Sequence, residues 1–266
     1  MRNPADSAKQ AAALPKSRYA FLTLPNYSLI AVSNAVEPLR MANRVAGQAV
    51  YEWAIVSQDG RPVLASSGLD LAPTIALDKL GKVDILFVCG GINVRDAVSA
   101  PLLTALRRLA ERRVALGGLC TGGYALARAG LLDNYRATIH WENLPALREE
   151  FPRVQINDQV FSIDRDRYTC PGGTAPLDLM LNLIQLKHGP QVSQQVSEQF
   201  VLERVRSAED RQDVPLRAQV GASHRSMIKV AELMEEHIEK PLSLDRIART
   251  TGLSRRQIER LFRRHL

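Results

Sequence analysis

Two apolar runs restrict the possible folds more than any other feature of this chain. Val114–Cys120 (VALGGLC) has no polar side chain on either face, and neither does the run from Ile85 to Gly91 inside Asp84–Gly91 (DILFVCGG). Both have the length of a strand. A strand that is apolar on both sides must be covered on both sides, as happens in a parallel sheet wrapped by helices. The neighbouring segments fit such a sheet. Tyr19–Leu24 (YAFLTL) and Tyr51–Ser57 (YEWAIVS) read as further strands, and Leu29–Ala46 between them places Leu29, Val32, Val36, Leu39 and Val45 at helical spacing. Ala100–Arg113 and Thr121–Ala129 read as helices. Ala137–His140 reads as a short strand, and Val160–Asp164 with Arg167–Cys170 as a strand pair turning at Arg165-Asp166. Gly173–Lys187 and Gln191–Arg206 read as two closing helices. Alternating strands and helices give an α/β class with a doubly wound parallel sheet.

The order of these signals divides the chain. Residues 1–17 lack periodicity and read as a disordered tail. Residues 18–206 form the sheet domain. Residues 207–221 (SAEDRQDVPLRAQVG) are polar, contain Pro215 and read as a linker, and 222–266 form a small all-α domain. Of 266 residues, 45% are hydrophobic and 24% charged, which excludes collagen-like, coiled-coil and mainly disordered chains. No run reaches the ~18 apolar residues of a membrane span, and the N-terminus has no apolar signal region. An odd set of three cysteines (Cys89, Cys120, Cys170) suits a reducing, cytoplasmic setting. Their spacing suggests neither a metal site nor any other bound cofactor.

Gly118-Leu119-Cys120-Thr121-Gly122 lies between a strand signal and a helix signal. This is the context of a nucleophile elbow, with a glycine two residues to either side of a reactive side chain. The elbow would hold Cys120 at the carboxyl edge of the sheet, where open α/β folds bind ligands. Backbone amides near Thr121 and Gly91 would face an anion there. His140 and Glu37 are candidate partners for the thiol; Trp141 and Tyr27 could offer an aromatic face to a cation. Two uses of the pocket follow. It could hold a small effector, or Cys120, with His140 and Glu37, could act as the nucleophile of a hydrolase, amidase or glyoxalase-like enzyme.

The positive charge is local. From Pro241 to the end, seven arginines face two acids, which carries five of the chain's seven net positive charges. Leu242–His265 reads as a helix-turn-helix. Ser243 and Ser254 are N-cap residues and Gly252 ends the first helix. Ile258, Leu261 and Phe262 point inward, and Arg255, Arg256, Glu259, Arg260 and Arg263 point outward. The second helix of such a unit enters the major groove of DNA.

The phrases ILFVCGG, GLCTGGYALARAGLLDNYRATIHW and YTCPGGTAPLDLML resemble the DJ-1/PfpI branch of the class I glutamine-amidotransferase-like superfamily, from about residue 18 to 190. That resemblance implies a flavodoxin-like sheet and a site built on Cys120 and Glu37, with His140 at the family's histidine position. LSRRQIERLF resembles the recognition helix of AraC/XylS-type domains. It implies Arg256, Glu259 and Arg260 as base-edge readers, with Arg255 and Gln257 beside them. Such domains carry two helix-turn-helix units, and this sequence stops at Leu266 after the first, so it reads as partial. The combination resembles GlxA-type transcriptional regulators. EPLRMANRVAG and ATIHWENLPALREEFP are similar to regulators of quaternary-amine catabolism, which implies glycine betaine, dimethylglycine or carnitine as effector. The partners so implied are operator DNA, a small-molecule effector, a second copy bound through the sheet domain and RNA polymerase. No membrane partner is expected.

Overall fold

A computed structural model describes residues 16–72, 75–212 and 225–265. The strands are β1 (Ser17–Thr23), β2 (Tyr51–Ser57), β3 (Val63–Leu64), β4 (Asp70–Leu71), β5 (Ile75–Ala76), β6 (Ile85–Cys89), β7 (Ala115–Leu119), β8 (Arg136–Ala137), β9 (Gln155–Ile156), β10 (Ser162–Asp164) and β11 (Arg167–Cys170). The helices of the sheet domain are α1 (Leu29–Ala46), α2 (Val94–Ala97), α3 (Ala100–Glu111), α4 (Gly123–Arg128), α5 (Leu144–Glu150), α6 (Ala175–His188) and α7 (Pro190–Gln199). Beyond them come α8 (Arg225–Glu235), α9 (Leu244–Thr251) and α10 (Arg255–His265).

Seven strands form one sheet in the order β10-β11-β7-β6-β1-β2-β5. Every pairing is parallel except β10 with β11. The apolar runs occupy its centre, where Phe87, Val88 and Leu119 are fully buried. One face packs on a cluster that includes Val32, Leu39, Met180 and Ile184 from α1 and α6. The other packs on a cluster that includes Leu102, Leu106 and Leu126 from α3 and α4. The doubly wound α/β sheet expected from the sequence is therefore the one observed. The chain winds outward from β1 to β2 on one side and from β6 to β7 on the other. The ends of β1 and β6 thus border the switch point at which such folds bind ligands.

Most element ends fall within two residues of the sequence reading, and three boundaries differ in ways that bear on the site. The helix expected over Gln191–Arg206 stops at Gln199, and Val201 turns the chain away with φ of 53°. Phe200 and Leu202 both pack against the same core cluster, and a continued helix would aim residues two apart in different directions. The strand expected over Ala137–His140 ends at Ala137. The next amide, of Thr138, donates to the side-chain oxygen of Thr169 instead of to a neighbouring strand's carbonyl, so His140 leaves the sheet edge. The α4 helix starts at Gly123 rather than Thr121, because the Thr121 hydroxyl donates to the Gly91 carbonyl oxygen at 2.7 Å and belongs to the elbow turn.

The expected tail over 1–17 lies outside the described residues apart from Lys16 and Ser17, and Ser17 already pairs with Tyr51 in the sheet. Composition reads a linker from Ser207, yet 207–212 lie along the sheet domain. The Val160 amide donates to the Asp210 carbonyl oxygen at 2.8 Å and the Gln212 amide to that of Asp158 at 2.8 Å. Residues 213–221 lie outside the described ones.

The last three helices close a core of their own around Val230, Ile247 and Ile258. Ser243 caps α9 by accepting the Arg246 amide, and Gly252 ends it with φ of 71°. Ser254 and Gln257 cap α10 reciprocally. The Gln257 amide donates to the Ser254 hydroxyl at 3.2 Å, and the Ser254 amide donates to the Gln257 side-chain oxygen at 2.8 Å. This is the helix-turn-helix read from the caps and apolar stripe. The side chains of Leu261 and Arg263, also placed by that reading, lie outside the described residues.

Candidate functional site

The elbow forms as its glycines require. Cys120 sits between β7 and α4 with φ of 58°, a left-handed conformation that costs a side-chain-bearing residue about 1–2 kcal/mol. Gly122 follows it so closely under β6 that a Cβ there would lie 1.9 Å from the Val88 carbonyl oxygen. Gly172, after β11, closes the turn from the other side. A Cβ on it would meet the Cys120 sulfur at 2.9 Å and His140 Cδ2 at 3.5 Å. The thiol and the imidazole therefore share one wall, and the His140 amide donates to the Cys120 carbonyl oxygen at 3.4 Å.

Above the elbow lies a cleft of about 530 Å³, lined in part by Ser28, Gly91, Arg95, Asp96, Cys120, Thr121, His140 and Glu142. Its walls are the segments that follow β1, β6, β7 and β8. Of the residues singled out in the sequence, Gly91, Cys120, Thr121 and His140 meet here. Three others do not. Glu37 sits nine residues along α1 from Ser28, about 13 Å at the helical rise. Its carboxylate accepts from the Arg40 guanidinium at 2.6 and 2.8 Å. The Tyr27 ring is fully buried in the core. Trp141 is tilted against His140, with ring centroids 5.5 Å apart, and lines a neighbouring cleft instead.

Arg95, Asp96 and Glu142 were not singled out as ligand-binding residues. Arg95 and Asp96 belong to α2, four residues long and too short for any periodicity. The only hint is the double glycine that ends β6 and brings the next residues over the sheet edge. The one hint of Glu142 in the sequence is its place two residues after His140. The charges in the cleft do not balance. The Arg95 guanidinium lies 2.6 Å from the Glu150 carboxylate and over the Tyr124 ring, so its charge is met on its outer side. Asp96 has no ion pair among the described residues. Glu142 reaches only His140, at 3.8 Å. Burial pushes His140 below the ordinary imidazole range, partly offset by the Glu142 carboxylate, so near neutral pH its ring does not cancel that acid. The cleft thus favours a cation near Asp96 and Glu142. Ser28, whose hydroxyl does not cap α1, offers a donor to an anion.

Burial pushes the Cys120 thiol up to about 11; the Thr121 amide lowers it a little and Glu142 raises it further. At pH 7 roughly one molecule in ten thousand then carries the thiolate. The rate of Cys120 alkylation by iodoacetamide is expected to rise about tenfold per pH unit from pH 7 to beyond pH 9. A rate that levels off near pH 8 would show an activated thiol instead.

In the helix-turn-helix, Ser254, Arg256, Gln257, Glu259 and Arg260 line an open groove beside α10. Arg255 was placed with them by its outward position. Its guanidinium instead grips the Asp245 carboxylate with two nitrogens and ties α10 to α9. Among the described residues there is no cluster of side chains able to hold a metal ion, and no helix is long and apolar enough to cross a membrane.

Comparison with known proteins agrees with this arrangement. Residues 20–186 match the DJ-1/PfpI family. The HTH-type transcriptional regulator GbdR of Pseudomonas aeruginosa is 46% identical over 246 residues, covering 92% of this chain and 67% of that protein. The HTH-type transcriptional regulator GlxA of Rhizobium meliloti is 36% identical over 249 residues, 93% of this chain and 77% of the relative. The crystal structure of an AraC family transcriptional regulator from Pseudomonas putida superposes with a TM-score of 0.64 at 32% identity, over 69% of this chain and 99% of that one. A DJ-1/PfpI sheet with its elbow, followed by a capped helix-turn-helix and matched along most of its length by such regulators, places this chain in the DJ-1/PfpI family, among the GlxA-type helix-turn-helix transcriptional regulators.

Proposed function

We propose that the sheet domain senses a small zwitterionic amine, of the class of glycine betaine, dimethylglycine or carnitine, and passes its presence to the DNA-binding module. The observation that carries this reading is the charge pattern of the elbow cleft. Two unbalanced carboxylates, Asp96 and Glu142, suit an ammonium group. Ser28 and the start of α1 suit a carboxylate. The acids would take the cation here, since neither Trp141 nor Tyr27 lines the cleft. Binding rather than turnover is supported by the protonated thiol and by the absence of Glu37 from the cleft. A Cys120-dependent hydrolase would have to use His140, which shares the elbow wall with the sulfur, as its base without the carboxylate of Glu37.

Calorimetric titration with glycine betaine, dimethylglycine, carnitine, sarcosine and arginine tests the proposal. One of them should bind once per chain, and Glu142→Gln should weaken that binding about tenfold. Absence of heat from every compound removes the amine assignment. Turnover of any amide or aldehyde that is lost in Cys120→Ala would replace sensing with catalysis.

The second half of the reading is that Arg256 and Arg260 meet DNA while Arg255 holds the module together. Binding to duplex DNA, followed by fluorescence anisotropy over a series of duplex sequences, should show this. Arg256→Ala and Arg260→Ala should each weaken binding to the preferred sequence by about 1–3 kcal/mol and relax that preference. Arg255→Ala should instead lower the thermal stability of the module. Equal losses of binding at all three positions would refute the distinction.

A further inference from the structure

The residues that leave the sheet domain run along the back of the elbow. From Arg204 to Gln212 the chain forms a strap with its own internal clasp. The Arg204 guanidinium donates to both Asp210 oxygens, at 2.8 and 3.1 Å, and holds that carboxyl well below the usual carboxylate range. Besides its backbone pairing with Asp158 and Val160, the strap is anchored by side chains at two points. At one, Arg206 donates to Asp178 through its backbone amide, Nε and Nη2, and to the Thr174 hydroxyl at 2.8 Å. At the other, Gln212 Nε2 donates to the Thr138 hydroxyl and the Ile139 carbonyl, both at 3.0 Å, and to the Gln159 carbonyl at 3.3 Å.

The second anchor lies against the site. Ile139 immediately precedes His140, which lines both the elbow cleft and a smaller cleft of about 240 Å³ behind it. Trp141, Gly172, Thr174, Arg206 and Gln212 line that smaller cleft with His140. Gly172 in turn lies close to both, since a Cβ on it would be 2.9 Å from the Cys120 sulfur and 3.5 Å from His140 Cδ2. A molecule above the elbow that displaced His140 would act on the Ile139 carbonyl, one residue away, that accepts from the strap. The anchor is also imperfect. Gln212 Oε1 is buried without a hydrogen-bond partner among the described residues, and an unpaired buried acceptor raises the free energy of the docked state. The two amide ends are not interchangeable, because two of the three acceptors are backbone carbonyls and require the NH2 end.

We propose that the Arg204–Gln212 strap is the element that couples the elbow cleft to the DNA-binding module, docked in one state of the cleft and released in the other. The direction of signalling rests on the sensing role proposed above, but the coupling itself does not. Coupling is reciprocal, so releasing the strap must alter the cleft even with no effector present. Cys120 is the reporter, because it alone of the three cysteines lines the cleft.

The experiment uses the full chain and two variants. Gln212→Ala removes the site-side anchor, and Arg204→Ala opens the exposed clasp with no loss from the core. Hydrogen exchange by mass spectrometry follows the peptides that hold the Val160 and Gln212 amides, and iodoacetamide labelling at fixed pH follows Cys120. Exchange at those amides should rise about tenfold or more, and the Cys120 labelling rate should change at least about fivefold in the same variant, while Cys89 and Cys170 stay unlabelled. Release of the strap with an unchanged Cys120 rate overturns the coupling. So does a strap that neither variant releases, because it is then a fixed part of the fold. Should no amine bind in the calorimetric test, only the effector assignment falls, since labelling needs no ligand.

Discussion

Gly122→Ala should destabilise the sheet domain by about 3 kcal/mol or more, read as the shift of its urea midpoint. The added methyl would sit 1.9 Å from the Val88 carbonyl oxygen and 2.7 Å from its carbon. Both atoms belong to β6, a buried central strand paired on either side, so neither can withdraw without breaking a ladder. The elbow would have to lift off the sheet. Gly172→Ala makes the contrast. Its nearest neighbour is the Cys120 sulfur at 2.9 Å, the tip of a side chain that can turn aside, and the loss there should be about 1 kcal/mol. If the two substitutions cost the same, the claim that β6 backbone fixes the elbow is wrong.

The second large effect is at Arg206. Asp178 is buried on α6, and Arg206 is its one counter-ion among the described residues. Arg206→Met should cost about 3 kcal/mol, because it strands a buried carboxylate. Adding Asp178→Asn to that variant should restore most of the loss. The asparagine carbonyl can still accept the Arg206 backbone amide, as Asp178 Oδ1 does at 2.8 Å, and no charge remains to be solvated. A double variant as unstable as Arg206→Met alone would mean that packing of the arginine stem, not its charge, holds the two segments together.

How far the sequence could be read depended on how local each determinant is. The central strands declare themselves because a residue apolar on both faces has one place to go. The elbow and both helix caps declare themselves because a cysteine flanked by glycines between a strand and a helix signal, and a serine just before an apolar helical stripe, are backbone chemistry within a few residues. Glu37, Tyr27 and Trp141 were chosen by residue type, and type does not say which way a side chain points. Ser28, the residue just before α1, lines the cleft, and Glu37 lies more than two turns along the helix from it. Arg255 shows the same limit in the helix-turn-helix. Its outward position on α10 is legible, but its capture by Asp245, ten residues earlier on another helix, is a tertiary event. Arg95 and Asp96 enter the site on a single helical turn that no periodic pattern can announce.

The strap also decides where the folded unit can be cut. Composition suggests ending a sheet-domain fragment at Arg206, yet Asp158 and Val160 pair with backbone atoms of residues 210–212. A protein that stops at Arg206 would present this stretch as an open edge beside the buried Phe161, the kind of surface on which one molecule adds to the next. Such a fragment is expected to self-associate on concentration, and six further residues, through Gln212, would cover the edge.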